Sequence, residues 1–512
     1  MQNNDYMNIP KEKFEFAPRG EKIYDTKLET KPIGYFKDAW IRFCKNKSSV
    51  VAAVIILILM LFALIVPMVS PYTVEDRDGY YKNVRPKLNI LAPLGIWDGT
   101  QTVTTSEAGY LYRNSIGVES GRDAVVSDYE VSYDSEGNAS YTYKVDTYHD
   151  VGYIYKNLTK SEYEALLKYQ DENNVQIMYP IPENYKTNYV IGNSGANFWY
   201  KLENEQKGST GMPILDENGD YINNYKTSKN KEYGKYTSKM RIEGDDGANG
   251  EWYVYAVKNQ TGYKVRLLYY EYYTYLNGHE PQFIFGANGF GQDIFTCLAV
   301  GARLSFALAI FVSVINLFIG AIYGAIEGYY GGAADMIMER VSDILSSVPF
   351  IVVVTLFKLH LAEKVGMFPS LLFAFVLTGW IGIASRVRLQ FYRFKGQEYV
   401  LAARTLGARD GRLMFKHIFP NSIGTIITGA VLIIPGVIFS ESSLSYLGII
   451  NFETSALTSI GTMLSQGQGT LHIHPHIILF PAIFIALLEI SFNLFGNGLR
   501  DAFNPSLRGV ED

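Results

Sequence analysis

The stretch EYVLAARTLGARDGRLMFKHIFPN, Glu398 to Asn421, is charged and helix-prone, yet long apolar runs flank it on both sides. It carries Arg404, Arg409, Arg412, Lys416 and His417, too much polarity to enter lipid. Glu398 to Leu406 consists of good helix formers, and Val400, Ala403 and Leu406 can share one face. Gly407 suits a helix stop because it takes a positive φ without penalty. Asp410 can cap a second short helix, Arg412 to Phe419, which is expected to end at Pro420. The product is a rigid helix–turn–helix ridge at the surface of a membrane bundle. A plain solvated loop is the bland alternative, but connections this long usually have a function. A rigid ridge in that position reads as a docking site.

The apolar runs make the bundle. Ser48 to Met68 holds no charge, and at ~1.5 Å per residue its roughly twenty residues cover a ~30 Å bilayer core. Many polar residues precede it and no A-x-A pattern comes after it, so it reads as a permanent span and not a cleaved leader. Five more spans are expected at roughly 300–325, 338–359, 369–389, 423–448 and 477–498. Lys37, Arg42, Lys45 and Lys47 precede the first span, and Arg386, Arg388, Arg393 and Lys395 follow the fourth. The positive-inside rule puts both flanks in the cytoplasm. Both termini are then cytoplasmic and the long polar segment after the first span is extracellular. Two small-residue faces, Gly301/Ser305/Ala309/Ser313 and Gly320/Gly324/Gly328, suit close helix packing in lipid. Phe36, Ala39, Trp40 and Phe43 mark an interfacial helix just before the first span.

The expected organisation is a cytoplasmic N-terminus with this elbow (1–47), a first span (48–70), and an extracellular segment (71–283) with an inserted Tyr-rich domain at about 100–282. A helical membrane core (284–498) with the polar loop 390–421 comes next, and a cytoplasmic C-terminus (499–512) ends the chain. The fold class is an all-α polytopic membrane bundle of six helices with an inserted α+β domain. In the insert, YEVSYDSEGNASYTYKVDTYHDVGYIY and RLLYYEYYTYL alternate as strands do, and KSEYEALLKYQ reads as a helix. Exposed tyrosines there suit contacts with a protein or peptide.

Composition narrows the function. The 512 residues carry 46 Lys plus Arg against 51 Asp plus Glu, a net charge of −5 that argues against nucleic-acid binding. The two cysteines, Cys44 and Cys297, lie outside the polar segment, so it has no disulfide framework. No G-x-x-x-x-G-K-[ST] loop is present, and no Ser, His and acid spacing suggests catalysis. His472, His474 and His476 in HIHPH would share one side of an extended segment and form a candidate metal site. Glu441 and Glu489, in or near spans, are candidates for a pore-facing or a structural role.

The Glu398–Asn421 stretch resembles the EAA loop of ABC-importer permeases, E-A-A-x-x-x-G with a later proline. Ala402, Ala403, Gly407 and Pro420 match; Leu401 stands where the first Glu would be, Glu398 lies one helical turn upstream, and His417 replaces the usual Ile. EYV-AAR-LGA is similar to the peptide and nickel branch. NGFGQDIFTCLAVGARLSFALA, DMIMERVSDILSSVPF, ESSLSYLGI, FNLFGNGLRDAFNP and the elbow extend the resemblance, with Gln292 where that branch has Arg. The chain thus resembles the second permease subunit of an oligopeptide or dipeptide importer, the OppC/DppC type. The resemblance implies no catalysis and no cofactor in this chain, with ATP and Mg bound by two cytoplasmic ATPase subunits. It further implies a second homologous permease, an extracellular substrate-binding lipoprotein, a peptide substrate, and a bacterial plasma membrane. It makes the loop a coupling element in which Thr405, Leu406, Gly407, Ala408 and Arg409 meet an ATPase. A membrane receptor with an extracellular sensing domain, an importer of nickel or another small solute, and a secondary transporter are the competing readings.

Overall fold

The computed structural model describes residues 34–183, 195–203, 212–232, 251–452 and 457–503. Most of the 1–47 segment and the end of 499–512 lie outside these residues.

The elbow helix α1, Tyr35–Lys45, turns at Asn46 into α2, Lys47–Val69; the Asn46 side chain accepts from the Ser49 amide and caps the span. On α1, Ala39 and Phe43 are buried against the last helix, whereas Phe36 and Trp40 stay exposed. The expected amphipathic face is therefore divided between the bundle and the surroundings.

The bundle resumes with α6, Ile294–Tyr330, capped by Asp293, whose carboxylate accepts from the Thr296 amide at 2.8 Å. Next come α7, Gly332–Ser346; α8, Phe350–Val365; and α9, Met367–Phe394. A short α10, Glu398–Thr405, precedes α11, Asp410–Tyr446; α12, Ile460–Gly467, and α13, His476–Phe503, complete the bundle. Five of these helices are long and apolar enough to span a membrane, and α7 with α8 make a sixth only as a pair bent by 72°. The continuous span expected at 338–359 is thus corrected: Pro349 cannot continue α7 and instead begins the turn into α8.

At ~1.5 Å per residue, α6 and α11 are about 55 Å long, well beyond a ~30 Å core. Their surplus turns carry the polar segments clear of the membrane. Val69, Ile294 and His476 lie at the end that bears the insert; Lys47, Tyr330, Asp410 and Phe503 lie at the other.

Small residues set the helix crossings. A Cβ on Gly324 would sit 2.2 Å from the Ala384 carbonyl oxygen, and one on Gly328 2.7 Å from that of Arg388, so α6 and α9 touch backbone to backbone. Gly301 packs in the same way on Ser459 and Ile460, and Ser313 donates to the Ala430 carbonyl at 2.8 Å.

The inserted region contains α3, Glu107–Ser120; α4, Lys160–Asn173; and α5, Tyr269–Asn277. Its first sheet has order β1–β3–β2 (Thr100–Thr105, Ala139–Asp146, Glu130–Tyr133), antiparallel with Val103 opposite Tyr143 and Val131 opposite Tyr141. The second has β9, Tyr263–Leu268, at its centre, flanked by β4, Tyr153–Leu158; β5, Met178–Tyr179; and β8, Ala256–Lys258. β6, Thr227–Ser228, pairs with β7, Trp252–Tyr253. The helix expected at KSEYEALLKYQ is α4, closed by a Thr159/Glu162 capping box.

Two expectations for the insert need correction, and one element was missed. Helix α3 was not legible. RLLYYEYYTYL is a strand only to Leu268 and then becomes α5, because its tyrosines at 269, 270, 272 and 273 share a buried helical face. The tyrosines are largely core and not surface: Tyr148, Tyr153 and Tyr255 are fully buried. Tyr148 donates its hydroxyl to the Arg85 carbonyl at 2.9 Å, whereas the buried Tyr81 and Tyr153 hydroxyls have no protein partner among the described residues. That core also takes in Tyr72, Tyr81 and Val84 before the insert and Phe283 and Ala287 after it. The insert is therefore built onto its two connecting arms. Gln292 serves the same junction, donating to the Val74 carbonyl at 2.5 Å and accepting from Asn288 at 2.9 Å.

Candidate functional site

The Glu398–Asn421 segment is anchored from below. Val400, Leu413 and Ile418 are fully buried against Ala325, Tyr329, Val387 and Phe391 of α6 and α9. Polar ties fix the same contact: Tyr329 donates its hydroxyl to the Asp410 carboxylate at 2.6 Å, and Arg404 donates to the Tyr329 hydroxyl at 3.3 Å.

The top of the segment is open. The amide of Leu406 donates to the Ala402 carbonyl, that of Gly407 to Arg404 and that of Ala408 to Ala403, which closes the last turn of α10. Gly407 sits at φ +84, a conformation that needs glycine. Glu398, Ala402, Thr405, Gly407 and Arg409 are exposed and Ala403 and Ala408 half-buried. Leu406 is 88% exposed, an apolar side chain held out by a rigid turn.

Two details differ from expectation. Asp410 does not cap the following helix, since its carboxylate is engaged by Tyr329; Arg409 occupies the cap position. Nor does the helix end at Pro420. It runs on to Tyr446 because Leu413–Ile418 is a π-helical turn, whose wider hydrogen bonding accommodates the exposed proline and its missing N–H.

An adjoining ion network escaped the sequence reading. Arg388 donates to Asp335 at 2.6 Å and to Glu339 at 2.8 Å, and Tyr392 donates to Asp335 at 2.5 Å. It fastens the polar helix α7 to α9, beside the segment. Only the tertiary fold brings these charges together. The sequence signal was charge at the edges of expected spans: Asp335 and Glu339 at the start of the third and Arg388 at the end of the fourth.

Glu441 is 1% exposed within the bundle. Its carboxylate accepts from Ser305 at 2.9 Å and Ser445 at 3.0 Å, so it ties α6 to α11. Replacing it with glutamine preserves one acceptor and should leave assembly intact; Glu441→Leu strands the serine hydroxyls and should lower thermal stability by about 1–3 kcal/mol. Melting of the two variants in detergent checks this, and an equal loss in both would contradict it. Glu489 is half-buried on α13, and one carboxylate oxygen has no hydrogen-bond partner.

The histidines are not gathered on an extended segment. His472 is exposed in a turn, and His476 opens α13 with Nδ1 3.4 Å from an Arg85 guanidinium nitrogen, a poor neighbour for a metal cation. Burial, then Arg85, holds His474 below the ordinary imidazole range. Among the described residues no three His, Cys, Asp or Glu are placed to hold a metal.

Two family models match the chain. Residues 316–509 match the binding-protein-dependent transport system inner membrane component, and residues 34–88 match the N-terminal TM domain of oligopeptide transport permease C. The oligopeptide transport system permease protein OppC of Bacillus subtilis is 45% identical over 224 residues, 44% of this chain and 72% of that protein. The dipeptide transport system permease protein DppC of the same organism is 39% identical over 225 residues, 44% of this chain and 69% of that one. A solved inward-facing MetNI methionine ABC transporter aligns with 41% of this chain and 96% of its own, at 15% identity and a TM-score of 0.35, too distant to place any residue. The matched segments take in the elbow, the first span, the anchored polar segment and the Glu441 helix. The chain belongs to the binding-protein-dependent ABC transporter permeases, in the OppC/DppC type.

Proposed function

We propose that this chain imports peptides across a bacterial plasma membrane, and that α10 with its exposed turn is where a partner ATPase drives it. Permeases of this family are non-catalytic, and ATP is bound by partner ATPases. The observation that carries the coupling assignment is the exposed Leu406–Gly407 turn on a helix locked into the ends of α6 and α9. Force applied there is transmitted directly to two long helices. Arg409, exposed beside the turn, supplies a guanidinium for a carboxylate on the partner. Lysines and arginines at this end support a cytoplasmic placement, with both termini inside and the insert outside. There the insert, built onto the arms that lead into α2 and α6, stands over the mouth and receives a substrate-binding lipoprotein. A second homologous permease and two ATPases complete the transporter. The peptide cargo rests on what the relatives are named for.

Uptake of radiolabelled peptides tests the reading. Cells lacking the chain are expected to lose uptake and to regain it with the wild-type gene; nickel uptake restored in place of peptide uptake would overturn the cargo assignment. A chain lacking 100–280 that keeps full uptake and full receptor affinity would sink the docking role of the insert.

A further inference from the structure

At the end of the bundle that carries α1 and α10, a cavity of about 190 Å³ opens between α9, α11 and α13. Arg386 and Arg393 of α9 and Arg500 of α13 line it, with Thr425 and Thr428 of α11 and the ring of Phe503. Arginines at span ends are ordinary when each reaches water separately. These three arginines, all exposed, come from two helices and line one hollow. Among the described residues no carboxylate lines that hollow and none of the three arginines forms a salt bridge. Arg386 donates to the Gly429 carbonyl at 3.3 Å, which fixes one guanidinium at the wall. Like charges that line one hollow favour an anion between them.

The depth of the cavity indicates the anion. Phe503 packs edge-on against Phe36 of the elbow at 6.1 Å, and the elbow exposes Phe36 and Trp40, residues that mark a membrane interface. The cavity therefore lies level with lipid headgroups. Arginine forks and hydroxyl donors suit a phosphoryl group, which takes several charge-assisted hydrogen bonds at once. We propose that Arg386, Arg393 and Arg500 form a phosphoryl-binding site, filled by an anionic phospholipid headgroup or by a free phosphate-type anion.

The test uses the full-length chain in its assembled transporter. Native mass spectrometry reads retained phosphatidylglycerol, and thermal melting reads the response to inorganic phosphate. Wild type is expected to retain the lipid or to be stabilised by phosphate, and the Arg393→Gln/Arg500→Gln pair to bind about tenfold or more weakly. Retained lipid that phosphate does not displace assigns a headgroup; stabilisation by phosphate without retained lipid assigns a free anion. The Arg393→Lys/Arg500→Lys pair keeps the charge and is expected to bind within a few-fold of wild type. Failure of wild type to hold either probe overturns the proposal, as does equal binding by the glutamine pair or equal loss in the glutamine and lysine pairs.

Discussion

Gly407→Val is expected to cut ATP-driven uptake by tenfold or more while the chain still folds and inserts. At φ +84 a β-branched residue is strained by about 1–2 kcal/mol, and that strain falls on the turn that carries Leu406. Nothing lies within 4 Å of an added Cβ, so steric conflict inside the chain adds nothing. The buried anchors Val400, Leu413 and Ile418 stay in place, and melting should shift by only a few degrees. On the proposed coupling role, the partner contact is weakened both by the deformed turn and by the added side chain. Gly407→Asn, which tolerates the left-handed region, should keep more uptake than valine. Gly411→Ala, a change with nothing within 4 Å of the added Cβ, should leave uptake unchanged. Uptake at wild-type levels in Gly407→Val would remove the turn from the coupling path.

Glu119→Ala is expected to destabilise the insert by about 3–5 kcal/mol, enough to open it to protease. Arg266 is fully buried, and its two terminal nitrogens donate to the two Glu119 oxygens at 2.6 Å each. It also donates to the carbonyls of Ala196 at 2.6 Å and Pro180 at 3.0 Å, with its guanidinium 3.8 Å from the centre of the Tyr153 ring. Burial opposes the charge, but the Glu119 carboxylate outweighs it and holds Arg266 above its ordinary pKa. Without Glu119 the cation has no counterion. Replacing both partners, as Glu119→Leu with Arg266→Met, should recover much of the loss, because an apolar pair of similar volume avoids stranding either charge. Limited proteolysis of the three chains checks the order. The same variants separate a docking role from a capping one. Uptake that falls with insert stability ties the insert to transport, and uptake that survives an opened insert limits it to a cap.

The bundle was legible where one physical signal dominates. The charge-free Ser48–Met68 run became α2, and the four-residue spacing of Gly320, Gly324 and Gly328 became the α6–α9 contact. The polar segment was legible through Gly407, whose conformational demand is local. Legibility failed where tertiary context decides. Pro420 looked like a terminator, and only the π turn before it shows how the helix continues. The 338–359 run is apolar enough to cross, yet Pro349 bends it, while Arg388 ties the polar helix α7 to α9. In the insert, tyrosine density pointed to a surface, but with no disulfide a domain must fill its core with large side chains, and the tyrosines supply that volume. The three histidines share a short motif but not a site, because a helix starts at the last of them.

The most direct measurement is site-specific photo-crosslinking from Leu406 in membranes that contain the whole transporter, with the captured protein identified by mass spectrometry. A crosslinker at Leu406 is expected to capture a P-loop ATPase, and one at Tyr133 of the insert, 74% exposed, is expected to capture none. Capture of an ATPase from Tyr133, or of no ATPase from Leu406 in an actively importing membrane, would contradict the assignment of the coupling surface.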